Sequence, residues 1–181
     1  MDSEGYYMVS LTEFITTYGR DVASSFLRTF VPLNDTKTAD FLHNEAIPME
    51  MRDLSRTYLA VSIDGDSIIG YVTLGMKCIR IPRENILSGS LLRQCNIDGS
   101  TGVAQAYLLG QLARSIDSPK GFGKDLMEYA IERLRRAKEI VGCRIARLDC
   151  SEDMVRYYNN SGFKPIRRNY DGNLVQMIAT I

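Results

Sequence analysis

Histidine is scarce in this chain, with His43 the only one among 181 residues. Every Ser-His or Cys-His nucleophile pair would have to use that one imidazole, which thins the field of nucleophilic mechanisms. Cysteine is sparse and scattered. Cys78, Cys95, Cys143 and Cys150 contain no C-x-x-C pair, and without ligand spacing or further histidines no zinc or other metal site is expected. No run approaches the roughly 18 apolar residues that a membrane span needs. The opening MDSEGYYMVS carries acids where a signal peptide would carry bases. The expectation is a cytoplasmic protein with reduced, mostly buried thiols and no disulfide framework. Net charge is missing too: 22 basic and 22 acidic side chains balance, which removes the cheapest argument for a nucleic-acid partner.

What is present suits a single domain over residues 1–181, long enough to bury its own core. Residues 6–11 read as a short strand. Residues 12–30 place Phe14, Ile15, Tyr18, Val22, Phe26 and Phe30 at helical spacing, and the pattern predicts one amphipathic helix that Pro32 ends. A second helical region covers about residues 36–55, with Pro48 either splitting it into two pieces or starting the second one. Residues 57–63 and 67–81 are β-rich and joined by Asp64-Gly65-Asp66, a strong hairpin signal because Asp-Gly supplies the positive φ of a tight turn. Residues 82–101 form a polar excursion with a short helix at 88–94, long enough to frame a site. A strand at 104–114, a five-turn helix at 121–141 stopped by Gly142, and a strand at 143–149 follow. A short helix then runs from Ser151 to about Asn160, and strands at 164–168 and 174–181 close the chain.

The chemistry points to the turn Ser118-Pro119-Lys120-Gly121-Phe122-Gly123-Lys124. Two glycines where a strand's loop becomes a helix let the backbone approach an anion, and the helix dipole favours negative charge there. Lys120 and Lys124 add positive charge. Taken alone, Gly-x-Gly is as readily an ordinary tight loop. The P-loop pattern is absent, and so is the third glycine of a dinucleotide fingerprint.

Strand, Gly-Phe-Gly turn, long helix, strand, and a short helix ending Tyr158-Asn159-Asn160-Ser161-Gly162-Phe163 resemble the GNAT superfamily of N-acetyltransferases. The resemblance covers residues 104–163 and extends to the order of elements along the whole chain. It implies a three-layer α/β fold with a mixed, mostly antiparallel central sheet splayed between two strands and helices on both faces. It also implies acetyl-CoA as co-substrate. Residues 118–123 match the family loop in both glycines, with Ser118 where a Gln or Arg is usual. The pyrophosphate would lie over the N–H groups from Gly121 through Phe122, Gly123 and Lys124 to Asp125. The pantetheine arm would pair with the backbone of Leu112, Ala113 and Arg114, at an edge left open by the splay.

Tyr158 falls on the family's tyrosine and would protonate the departing coenzyme A thiolate, since a phenol's pKa near 10 is close to that of a thiol. From the residue alone it reads as a core aromatic beside Phe163. No carboxylate stands near Gln111, where many family members carry their base. Glu45, Glu50, Glu84 and His43 are candidates by position only, and none is assigned. Cys150 invites an acyl-cysteine step but has no adjoining base, and it reads as a small apolar filler.

Residues 107–114, the long excursion before them and the Val141-Gly142-Cys143-Arg144 entry also look like the acetyltransferase toxins of bacterial toxin–antitoxin pairs. Relatives of that branch acetylate aminoacyl-tRNA, which would add tRNA and a small antitoxin as partners. The loop is one residue shorter than that branch's usual form. A basic face of Lys124, Arg133, Arg135, Arg136, Lys138, Arg144 and Arg147 would serve it, extended by Arg167 and Arg168 if the fold brings them to the same side, although by itself such a face reads as a solvated helix surface. Transfer to a primary amine in a ternary complex is the leading expectation, with the tRNA acceptor second and a non-catalytic coenzyme A-binding module third. GNAT-like domains are often dimers, which implies a homodimer.

Overall fold

A computed structural model describes residues 5–81 and 88–181. The protein is a mixed α/β structure with seven strands in its main, mostly antiparallel sheet and two short strands in a second. Its contacts divide it into two compact units, Met1–Gly75 with Gln111–Ala130 and Met76–Gly110 with Ile131–Ile181.

In the first unit, β1 (Tyr6–Ser10) pairs antiparallel with β2 (Ser55–Ser62), and β2 forms the expected hairpin with β3 (Ile68–Met76). Gly65 takes φ 80° in the connecting turn. The helical stripe of residues 12–30 is broken in two: α1 (Leu11–Tyr18) ends where Gly19 adopts φ 85°, and α2 (Arg20–Leu27) begins there. The Gly19 N–H caps α1 on the Ile15 carbonyl at 2.8 Å. A lone glycine inside an apolar stripe does not reveal such a break, because helices tolerate one at a cost of about 1 kcal/mol. The next region forms two helices, with Pro48 near the start of the second as one of the two expected divisions has it. α3 (Thr36–Asp40) and α4 (Ala46–Met51) are joined by a wide π turn at Phe41–Glu45, and Pro48 sits inside the first turn of α4. Proline is accepted there because the N–H groups of a first turn have no intrahelical acceptor.

Neighbouring residues of β3 serve opposite faces, as strand geometry requires. Tyr71 is fully buried with Leu27, Phe30, Leu42 and Leu59 from the N-terminal helices and β2, and its hydroxyl donates to the Thr38 carbonyl at 2.7 Å. A Cβ at Gly70 would point the other way, into Phe122 and Leu126 of α6 (Phe122–Val141).

In the second unit, β6 (Tyr107–Arg114, whose last four residues belong to the first unit) pairs in parallel with β7 (Ile145–Cys150). β9 (Val175–Thr180) lies antiparallel to β7, and β8 (Lys164–Arg168) to β9. The β6–β7 pairing covers only Tyr107↔Ala146 and Leu108↔Arg147. The short strands β4 (Ile79–Arg80) and β5 (Val103–Ala104) pair with each other, and α5 (Gly89–Gln94) starts on a Ser88 cap as its sequence predicts. Ile79, Ile81, Cys95 and Ala104 pack with Ile145, Ile166 and Ile178 of the strands. A 3₁₀ turn at Glu152–Met154 leads into α7 (Val155–Asn160).

Candidate active site

The expected cofactor loop lies wholly in the first unit. Gly121 has φ 91°, and a Cβ there would meet nothing within 4 Å, so glycine is demanded by conformation and the space beside it is open. Phe122 is the loop's anchor: it is buried, meets the Tyr6 ring edge-on at 4.9 Å, and starts α6. Lys120 and Lys124 are exposed, and Lys124 sits 3.5 Å from Glu128 one turn on. Two expected N–H donors are already engaged within the loop, Phe122 to the Pro119 carbonyl at 3.2 Å and Lys124 to that of Gly121 at 2.9 Å. Asp125 brings an acid into the first turn, so any help it gives an anion comes from its backbone. The Ser118 hydroxyl donates to the Ser115 carbonyl at 2.7 Å, so the side chain standing where the family has Gln or Arg faces its own loop. Arg114 braces that loop with a guanidinium contact of 3.3 Å to the Pro119 carbonyl.

The edge of β6 sorts the three expected pantetheine partners. Backbone groups alternate between the two edges of a strand. Ser115 donates to Ile69 of β3 at 2.9 Å, so Ala113, two residues earlier, also turns its groups to β3. Ala113 is buried with the core side chains of the first unit. Arg114 faces the opposite edge, but its carbonyl already accepts from Leu33 at 2.9 Å. Leu112 faces the same edge as Arg114 and lies beyond the stretch paired to β7.

Tyr158 lies in the second unit. It is 9 % exposed on α7, its ring 5.1 Å from Tyr157 and 6.1 Å from Phe163, both edge-on. Burial, with smaller contributions from Tyr157 and Cys150, raises its pKa above the ordinary phenol value, so it stays protonated throughout the neutral range. Cys150 is buried with its Sγ 3.6 Å from Met177 Sδ. Burial and the nearby Asp149, Asp153 and Glu152 push its thiol up to about 11, which suits an inert filler and not a nucleophile.

The positional base candidates divide. Glu50 is 4 % exposed and accepts from the Thr12 hydroxyl and from the Thr57 N–H at 2.8 Å, with Arg56 at 3.8 Å. That carboxylate ties α1, α4 and β2 together. Glu45 is exposed at the end of the π turn, and Glu84 falls outside the described residues. His43 is half-buried on the same turn, its Nε2 enclosed without a partner. The expected basic face is thinner than its sequence. Arg147 is 3 % exposed and paired with Asp149, which removes it from any surface patch. Arg136 pairs with Glu132 at 2.5 Å and Arg168 with Glu152 at 2.6 Å. Lys138 donates to the Ile181 carbonyl, whereas Arg135 and Arg144 are exposed. Sequence reasoning missed the Arg147–Asp149 pair, whose only signal was opposite charges two residues apart in an apolar strand. Among the described residues there is no group of metal-ligating side chains, and no helix is long and apolar enough to cross a membrane.

No family model and no curated protein matches the sequence. Solved structures do match in fold. A phenylalanine-for-tyrosine mutant of KacT aligns at TM-score 0.73 and 19% identity, covering 96% of this chain and 94% of that one. AtaT complexed with acetyl-methionyl-tRNAfMet aligns at 0.72 and 19%, covering 94% and 93%. A phenylalanine-for-tyrosine mutant of the AtaT toxin, bound to the C-terminus of the antitoxin AtaR and acetyl-CoA, aligns at 0.70 and 17%, covering 98% and 94%. Near-full-length superposition at these TM-scores shows that the chain shares the fold of the AtaT and KacT structures.

Proposed function

We propose that this protein is an acetyl-CoA-dependent N-acetyltransferase of the toxin type, with the amino group of an aminoacyl-tRNA as acceptor. One stretch of backbone carries the cofactor half of this reading. β6 continues past its pairing with β7, its chain enters the positive-φ turn at Gly121, and a 20-residue helix begins at Phe122. An extended amide arm joined to a pyrophosphate fits that order, because amides need an unpaired strand edge and phosphates a helix N-terminus. The acceptor half is supported by the likeness to AtaT, solved with acetyl-methionyl-tRNAfMet.

When bound, acetyl-CoA supplies the acetyl group as an activated thioester. Leu112 offers its backbone to align the arm. Gly121 keeps a Cβ out of the approach to the phosphates, and Lys120 and Lys124 offset their charge. Tyr158 holds its proton at neutral pH and would give it to the coenzyme A sulfur as the C–S bond breaks. The proton shed by the acceptor nitrogen on forming the N–C bond would return through solvent to restore the phenol. A second reading, with small primary amines as acceptors, is favoured by the ion pairing and burial that thin the basic face.

Heat denaturation tests the cofactor: acetyl-CoA at a hundred times its Kd should stabilise by about 2.7 kcal/mol, and adenosine 3′,5′-bisphosphate, which lacks the arm, far less. No shift with either ligand would sink the reading. Coenzyme A release with methionyl-tRNA and with a panel of primary amines separates the two acceptors. Binding without release to any of them would leave a coenzyme A-binding module.

A further inference from the structure

The carboxylate missing near Gln111 of β6 has a counterpart on β7, held by an unusual partner. Arg147 lies within that strand at 3 % exposure. Its Nη2 donates to both carboxylate oxygens of Asp149, at 2.8 and 2.9 Å, and its Nη1 to the Cys78 carbonyl at 2.9 Å. Its Nε is buried without a partner. A guanidinium so enclosed is costly, and swapping such a pair for apolar side chains is often neutral or stabilising, so the pair is poorly explained by stability alone.

Asp149 is the open end of this pair, with 20% of its side chain exposed. Each carboxylate oxygen offers two lone-pair positions, and Arg147 takes one on each, leaving the others for a further donor. Residues 145, 147 and 149 share one face of β7. On that face Ile145 packs with Ile79, Ile81, Cys95 and Ala104, which flank or belong to the long excursion between strands. Cys150 points to the opposite face, and its thiol is among the groups that act on Tyr158. The end of β7 thus presents a carboxylate on one face and the neighbour of the tyrosine on the other.

We propose that Asp149 is the acceptor-binding residue, receiving the acceptor's ammonium group, and that Arg147 is the positioning residue that fixes its carboxylate. This rests on the acetyltransferase reading above. Methionine methyl ester serves as a minimal aminoacyl acceptor, free of the tRNA phosphates that would mask the contact. Asp149→Asn should lower kcat/KM for the ester by about 10- to 100-fold, mostly through KM, the loss expected for one charged hydrogen bond. The thermal shift with acetyl-CoA should be unchanged. Asp149→Glu should recover part of the loss, and Arg147→Lys, which keeps the charge but not the paired donors, should fall between. A wild-type kcat/KM within twofold for Asp149→Asn would overturn the inference, as would loss of the acetyl-CoA shift in step with turnover. Absence of that shift, or of turnover, in the unmodified protein would overturn the function reading and this inference with it.

Discussion

Gly70→Ala tests how the cofactor loop is held in place. Gly70 sits in β3 where β6 and the first turn of α6 converge. A Cβ built on it would lie 2.9 Å from the Ala113 carbonyl oxygen, from Leu126 Cδ1 and from Phe122 Cε1. Real Cβ atoms do not approach so closely, and one of the three neighbours is backbone, which cannot turn aside like a flexible side chain. Overpacking a core position costs about 1–3 kcal/mol. Alanine also removes freedom from the unfolded chain, a gain of about 0.4–1 kcal/mol. The clash wins, since three contacts must relax at once, and the net loss should be about 2 kcal/mol. For a chain of this size that lowers Tm by about 4–8 °C. Relief is easiest through Phe122, the residue beside Gly121, so the variant should also bind acetyl-CoA more weakly. Urea denaturation gives the first quantity, and the acetyl-CoA-dependent shift in Tm gives the second. A variant within 0.5 kcal/mol of the parent by that first measurement, with an undiminished shift, would refute the claim that this close approach positions the loop.

Tyr158→Phe should reduce coenzyme A release about 10²- to 10⁴-fold while leaving the acetyl-CoA thermal shift intact, and undiminished turnover would remove the tyrosine from the mechanism. Gly121→Ala meets no steric barrier but must hold a left-handed backbone, so it should cost about 1–2 kcal/mol in denaturation and weaken acetyl-CoA binding. Glu50→Gln breaks the buried carboxylate's links to α1, β2 and Arg56 and should cost about 1–3 kcal/mol in urea denaturation, with kcat of the surviving folded protein unchanged. The Cys150 thiol, pushed up to about 11, stays protonated at pH 8, so iodoacetamide at that pH should modify the exposed Cys78 first. Because folding favours the protonated thiol, its contribution to stability is complete below pH 9, the thiol's ordinary value, and is lost as the pH rises towards 11. A pH series of denaturation curves on Cys150→Ala, which should retain turnover, checks this slope.

Much of the fold was legible because its signals are local. The Asp64-Gly65-Asp66 turn, the Ser88 cap and the periodic face of α6 ending at Gly142 each lie within a few residues, and each formed where expected. The glycine turn at 121–123 was legible for the same reason. The break at Gly19 was not, because apolar periodicity reports which face is buried and not whether one helix or two supply it.

The amino-acid order by itself therefore determined which segments become strands and helices, and where the candidate phosphate turn and the Tyr158 helix fall. Tertiary structure alone decided which of those groups remain available. The Ser115 N–H went to the Ile69 carbonyl of β3, and the Arg114 carbonyl went to Leu33. Glu50 became a buried tie between elements far apart in sequence. Arg147, a surface base in any local reading, was buried against Asp149 and the Cys78 carbonyl, 69 residues away. Local propensity acts through a residue's nearest neighbours in the chain. Whether a charge faces water or an ion pair depends on what distant segment covers its strand, and that is settled only when the sheet and its flanking elements assemble.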